Sequence, residues 1–285
     1  MAVQSINYSQ IGGIHSVAAA VIFAIIYFPL LIYNIIRSVK RPTYVLIVLA
    51  LFCAIRVTAF SVRAALAGSS DAAENENLFI AEQVLYLAGF FGVLYSAYTL
   101  VLDREQLTGE QEFPGPISAV MRISGNRHLI RLTLTVAIAL GITGAIRMTS
   151  GDASKMATGE TMRRVSTYIF LVVTILLALR TMFLALEQSG VSSGRPTAHS
   201  AFGARHGVFV LLGIAILLLL REAFQTATTG SKSTSMQDKA YNEALFYPLS
   251  ALPEFLAVVL FAVPGLVPSR KELQEYSAVI HIPAA

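Results

Sequence analysis

Seven apolar runs fill most of this 285-residue chain, and several carry Arg or Glu where lipid penalises a charge. The runs cover roughly 14–36, 43–66, 79–102, 129–148, 165–187, 207–226 and 244–266. Each approaches the ~20 residues that an α-helix needs to cross a hydrocarbon core of about 30 Å. The expected fold is all-α: a polytopic membrane protein built as a seven-transmembrane-helix bundle. Residues 1–13 form a short segment before it, 14–266 the bundle, and 267–285 a short tail after it.

Composition supports that class, because 55% of the residues are hydrophobic and only 13% are charged, a balance foreign to soluble domains. The net charge of +4 is modest. No basic stripe with interleaved aromatics is present, so nucleic acid is not an expected partner. Cys53 is the sole cysteine, which rules out an intramolecular disulfide. No charged segment precedes the first run and further runs follow it, so that run reads as an uncleaved anchor.

Orientation follows from the basic residues of short loops. Arg37, Lys40, Arg41, Arg104, Arg122, Arg127, Arg195, Arg205, Arg270 and Lys271 fall on one side, and Lys155, Arg163, Arg164, Lys232 and Lys239 on the other. The excess predicts an outside or lumenal N-terminus and a cytoplasmic C-terminus. It also puts the sequon Asn7-Tyr8-Ser9 on the glycosylated side.

An ionisable group deep in a span costs roughly 2.5–3.5 kcal/mol on insertion scales, so Arg56, Arg221 and Glu254 need partners or a purpose. With the predicted direction of each helix, Arg56, Arg63, Glu82, Arg147, Arg221, Glu222 and Glu254 gather mostly in the outer half, with a small arginine surplus. Arg180 lies apart, toward the cytoplasmic side. Arg221 and Glu222 are adjacent and leave the helix about 100° apart, so each is expected to seek a partner on another helix. The expected pairs are Arg56 with Glu254, and Arg221 or Arg63 with Glu82, around an outward-facing polar cavity. Ion pairs that only fix packing are the alternative.

Other features read as architecture. Ala137, Gly141 and Ala145 form a small-residue stripe, and Gly89 with Gly92 thins the third helix for close contact. Pro248, Pro253 and Pro264 interrupt the seventh, making it the expected broken element. Residues 117–123 suit a short interfacial helix, and 106–116 and 194–203 read as connectors. The segments following Arg56 and Arg221 echo each other, each with Phe three or four residues on and Leu-Phe opening the next helix; chance similarity between apolar helices explains this more simply than a parallel repeat.

Several chemistries lack their residues. No run contains the lysine that a retinal Schiff base needs, and the five histidines are scattered without a metal-ligand spacing. No G-x-S-x-G elbow or Walker loop occurs. Catalytic residues, cofactors and metals are therefore not expected. Asp103-Arg104-Glu105 sits at the inner end of the third helix, where receptors carry an ionic motif, but the D-R-Y and N-P-x-x-Y signatures of rhodopsin-like receptors are missing and positive-inside flanking accounts for the arginine.

Leu220-Arg221-x-x-Phe224, a polar loop, then Glu243-x-x-x-Tyr247-x-x-Ser250-Ala251-Leu252-Pro253 resembles the fungal lipid-translocating exporter family. Leu94-Tyr95-Ser96-Ala97-Tyr98 is in keeping with it. That resemblance implies seven helices and a role in aminocholesterol resistance or sphingoid-base export. Family members carry an Asp where this chain has Ser250; here a carboxylate, Glu254, stands one turn further on. The chain looks closer still to an uncharacterised seven-helix domain of filamentous fungi. The resulting expectation is a protein of the membrane, in contact with its lipids, that binds or moves a lipid or small amphiphile with an anionic head group. Its ligand-binding residues would be Arg56, Arg221, Glu254, Glu82 and Tyr247, with Glu254 as counter-ion or proton acceptor. A receptor-like sensor with a cytoplasmic protein partner, and a terpene-cyclase-like membrane enzyme, are the alternatives.

Overall fold

The computed structural model describes residues 7–11, 14–108, 117–150, 152–191, 206–230 and 243–268, and every regular element among them is helical. In chain order these are α1 (Tyr8–Ile11), α2 (Val17–Lys40), α3 (Tyr44–Gly68), α4 (Ser70–Ala73), α5 (Glu76–Thr108) and α6 (Ile117–Ser124). They continue with α7 (Arg127–Met148), α8 (Ala153–Val191), α9 (Gly207–Gly230), α10 (Glu243–Phe246), a π-helical segment (Tyr247–Ala251) and α11 (Leu252–Phe261). The expected connectors, apart from 106–108, and the tail beyond 268 lie outside the described residues.

Local signals set several helix starts. Ser16 Oγ accepts from the Ala19 N–H at 3.2 Å. Asn126 Oδ1 accepts from His128 and Leu129 at 3.0 and 3.4 Å. Asp152 Oδ1 accepts from Ser154 N–H at 2.9 Å. Each satisfies amide donors that the first helical turn leaves open. That last cap explains why α8 begins well before its apolar run: residues from Ala153 onward are polar but helix-compatible.

Six helices, α2, α3, α5, α7, α8 and α9, are long and apolar enough to cross a membrane. The seventh expected span is the one that differs, because Glu243–Phe261 is divided into α10, the π segment and α11. Pro248 and Pro253 cause the division, since each lacks the N–H that an α-helical ladder requires. In the π register the Leu252 N–H bonds the Tyr247 carbonyl, five residues back.

Consecutive long helices pack side by side, from α2 on α3 through to α9 on α11, while α5 also meets α8 and α9. Helix α5 therefore runs through the middle. In its most apolar stretch 61% of residues are buried, against 17% in α2. Where α7 meets α8 the backbones touch: a Cβ on Gly144 would lie 2.8 Å from the Gly159 oxygen. The expected small-residue stripe is thus shifted, with Ala137, Gly141 and Gly144 buried and Ala145 only half-buried.

Polarity is inverted relative to a water-soluble fold. Ile22, Ile25, Phe28, Leu132, Val172 and Ile216 are exposed, whereas Arg56, Arg63, Glu82, Arg221, Glu222 and Glu254 are buried. Apolar surface outside and charge inside is the arrangement of a membrane-embedded, multi-pass bundle.

The end of the bundle that holds Asp103-Arg104-Glu105 is tied together by that triplet. Asp103 accepts from Arg127 at 2.5 Å, and Glu105 pairs with Arg180 of α8. Arg104 donates to the carbonyls of Gly265 and Leu266 at 2.9 and 3.0 Å. Arg180, isolated in the sequence, also donates to Ser124 Oγ and to the Met121 carbonyl, which fastens α6.

Candidate functional site: a buried arginine–glutamate cluster

Four helical faces converge on Glu254. On α3, Phe52, Arg56, Phe60 and Arg63 follow one buried face. On α5, Glu82, Tyr86, Phe90 and Val93 do the same. Helix α9 contributes Arg221 and Glu222, and the π segment with α11 contributes Ser250 and Glu254.

Arg56 Nε donates to Glu254 Oε1 at 2.8 Å, and Arg56 Nη2 bonds the same oxygen. Nη2 also donates to the Tyr86 carbonyl at 3.0 Å. The guanidinium lies over the Tyr86 ring, 4.1 Å from its centroid, with the Phe52 ring at 5.1 Å. Gly89 leaves the space it occupies. The expected pairing of Arg56 with Glu254 is the one the fold makes.

Arg221 behaves differently from the expectation. Its Nη1 donates to the neighbouring Glu222 Oε2 at 2.5 Å. Adjacent side chains do diverge at the backbone, but the long arginine stem folds back far enough to reach. Its Nε stands 3.7 Å from Glu254 Oε2, so Glu254 lies between two guanidinium groups. The Arg221 guanidinium is 3.8 Å above the Phe90 ring and 5.3 Å from the Tyr86 ring. Tyr86 thus faces both cations. Such contacts contribute about 2 kcal/mol or more when desolvated.

A second pair sits one to two turns away. Arg63 Nη1 donates to Glu82 Oε1 at 2.8 Å, so of the two expected partners for Glu82 it is Arg63 that takes it. Gln83 Nε2 donates to the other Glu82 oxygen at 2.7 Å. The Arg63 guanidinium covers the Phe246 ring at 4.2 Å and lies 5.9 Å from that of Tyr247. The five sequence candidates therefore divide: Arg56, Arg221 and Glu254 come together, while Glu82 and Tyr247 belong with Arg63.

Charge balance in the two groups is even, with Arg56, Arg63 and Arg221 against Glu82, Glu222 and Glu254. The arginine surplus counted along the sequence came from Arg147, which is exposed. Arg56 and Glu254 have no solvent exposure, and Arg221 and Glu222 have 2% and 1%. The cluster is sealed in this conformation. Even so, among the described residues Arg56 Nη1 has no hydrogen-bond partner, and Arg221 Nε faces Glu254 Oε2 as an ion pair without a hydrogen bond. An unmade bond of this kind costs about 1–3 kcal/mol, and more for a charged group.

The π segment borders the site. Ser250 Oγ and Tyr86 Oη share a hydrogen bond of 2.7 Å, one turn before Glu254. π turns inside helices concentrate at functional positions. Tyr86, Phe90 and Glu222 were missed as site residues, and Gly89 was read as packing alone. Spacing of four and eight from Glu82 would have placed Tyr86 and Phe90 on its face. Among the described residues no three His, Cys, Asp or Glu side chains are grouped as a metal ion would require.

Comparison with characterised proteins and with solved structures returned no match. One family profile does match, over residues 15–271. A chain whose bundle is matched from the start of α2 to beyond the end of α11 belongs to that family, described as Domain of unknown function (DUF7702).

Proposed function

We propose that this chain is a seven-span membrane protein, N-terminus outside and C-terminus cytoplasmic, that binds or translocates a lipid or small amphiphile. Its site is Arg56, Arg221 and Glu254, with Glu82 and Tyr247 beside Arg63 at the outer edge. Helical residues from Glu243 to Phe261 form the broken seventh span. One observation carries the reading: Arg56, Arg221 and Glu254 are buried together, with the Glu254 carboxylate held between two guanidinium groups. Well-packed apolar residues would serve stability as well as such a cluster or better. Two guanidinium groups about one carboxylate suit a phosphate or carboxylate head group, which would replace Glu254 on Arg56 and Arg221. Glu254 would then serve as the displaced counter-ion or as a proton acceptor. The resemblance to lipid-translocating exporters favours the same residues, since Ser250 holds the position of that family's carboxylate and Glu254 stands one turn further on.

Native mass spectrometry of the protein in mild detergent, beside Arg56→Gln and Glu254→Gln, tests the reading. A defined lipid that co-purifies with the parent and vanishes from both variants supports it. A ligand-free parent, with variants folded alike, reduces the cluster to a packing device. A receptor-like sensor is favoured by one separate observation, the way Asp103, Arg104 and Glu105 reach three neighbouring segments. That reading predicts a cytoplasmic partner on the loops at 103–127 and 188–206 without flux of any lipid.

A further inference from the structure

The seam between α2 and α11 lies between the Arg56–Glu254 pair and the bilayer. Aromatic rings close it. Phe23 stacks on Tyr247 with centroids 5.1 Å apart, and Tyr27 meets Phe255 edge-on at 5.3 Å. Tyr27 continues to Phe52 at 5.9 Å, and Phe52 faces the Arg56 guanidinium. One layer of rings therefore separates α2 from the buried charges. Beyond the rings the seam is pinned: Tyr33 Oη and Arg37 Nη1 both donate to the Ala262 carbonyl, at 3.0 and 3.1 Å.

The two halves of this seam differ in what opening would cost. Ring pairs contribute roughly 0.5–1.5 kcal/mol each beyond their buried area. In a bilayer no hydrophobic force holds them, because an acyl chain replaces the lost contacts. Releasing Tyr33 and Arg37 breaks two directional hydrogen bonds to the Ala262 carbonyl, which an acyl chain does not replace. Helix α2 is also the least buried span, and Ile22, Ile25 and Phe28 already face outward. Across the seam Tyr247 opens the π segment. Return of that segment to α-helical register would turn Tyr247 and Ser250 relative to Glu254, by up to about 100° per residue.

We infer that the charge cluster is reached sideways from the bilayer: the ring half of the α2–α11 seam parts about the pinned Ala262 end. The acyl chain of a membrane-dissolved amphiphile then occupies the seam while its head group meets Arg56 and Glu254. This deepens the proposed function and rests on it. It defines the ligand class as a chain-bearing lipid of the bilayer and excludes a small water-borne anion.

The chain has no tryptophan, so a single one reports without background. Tyr27→Trp puts the probe behind the seam, Ile25→Trp puts it on the lipid-facing side, and Phe90→Trp puts it in the closed core. Each is reconstituted in vesicles of phosphatidylcholine with dibrominated acyl chains, which quench on contact. The expected result is quenching of Tyr27→Trp that approaches the Ile25→Trp level. It should be lost when Phe23→Cys and Tyr247→Cys are joined by a short bis-methanethiosulfonate, which links them through two disulfides, and regained when reduction cleaves those disulfides. Quenching no deeper than that of Phe90→Trp overturns the inference. If Tyr27→Trp does not fold, Phe52→Trp, on the next ring inward, reads the same event. A lipid that co-purifies and depends on Arg56, beside an unquenched seam probe, overturns sideways access and leaves the site standing. A quenched probe with no co-purifying lipid upholds the opening seam and overturns the head-group assignment.

Discussion

Gly89 of α5 and Arg56 of α3 meet so closely that a Cβ on Gly89 would lie 3.0 Å from the guanidinium carbon and from Nη1. The absent side chain is the berth of the charge. Helix α5 can therefore pass beside Arg56 while the Tyr86 carbonyl and ring, one turn earlier, receive the same group.

Gly89→Ala should consequently destabilise the bundle, although alanine is about 1 kcal/mol the better helix former. Displacing a packed group costs about 1–3 kcal/mol, and here the shift strains the bond to Glu254. Gly92→Ala is the control, because its Cβ would sit 3.4 Å from Val48 in ordinary contact. Thermal unfolding in micelles should show a lowered transition for the first and an unchanged or raised one for the second.

Removing one partner of the Arg56–Glu254 pair strands a buried charge. Arg56→Met and Glu254→Met should each cost about 3–5 kcal/mol. The double variant should cost less than the sum, because Arg221 retains Glu222 and no lone charge remains. Denaturant titration of the four proteins measures the coupling. Additive losses would show that the two side chains do not act as a pair.

Gly144→Ala tests the α7–α8 contact. The new Cβ would stand 2.8 Å from the Gly159 oxygen and 3.0 Å from the Arg163 nitrogen, and backbone cannot step aside as a side chain does. A loss of about 1–3 kcal/mol is expected, with the helices forced apart. A transition matching the parent would contradict this packing.

Asp152 caps α8 outside the apolar stretches. Hydrogen bonds from the Ser154 amide and hydroxyl hold its carboxyl below the usual carboxylate range. A depressed native pKa stabilises above the unfolded value, about 3.9, and that contribution is lost as pH falls through the lower native value. Asp152→Ala should lower the thermal transition at pH 7, and the gap to the parent should close below about pH 4. A gap independent of pH would remove the charge from the cap's effect.

Much of the architecture was legible because lipid imposes a one-dimensional rule. A run of apolar residues of spanning length reads as a helix whatever surrounds it, and α2, α3, α5, α7, α8 and α9 answer to their runs. The seventh run was harder, since Pro248 and Pro253 announce an interruption but not its form as a π segment. The cost of embedded charge singled out Arg56 and Glu254 in the same local way. The reading failed at Arg221, where helix angle alone argued against a neighbour that a flexible four-bond stem can reach. It also failed at Tyr86 and Phe90, which look like ordinary apolar filling until two arginines lie against them.

The amino-acid order alone determined that this chain carries helices long and apolar enough to cross a membrane, where those helices fall, and which of their residues are too polar for lipid. Those properties depend on transfer free energies, which add residue by residue. Tertiary structure decided the partners: Glu254 for Arg56, Glu222 for Arg221, Glu82 for Arg63, and Glu105 for the isolated Arg180. A buried ion pair forms wherever helix adjacency and side-chain reach bring opposite charges together, and helix adjacency is not written in any single span.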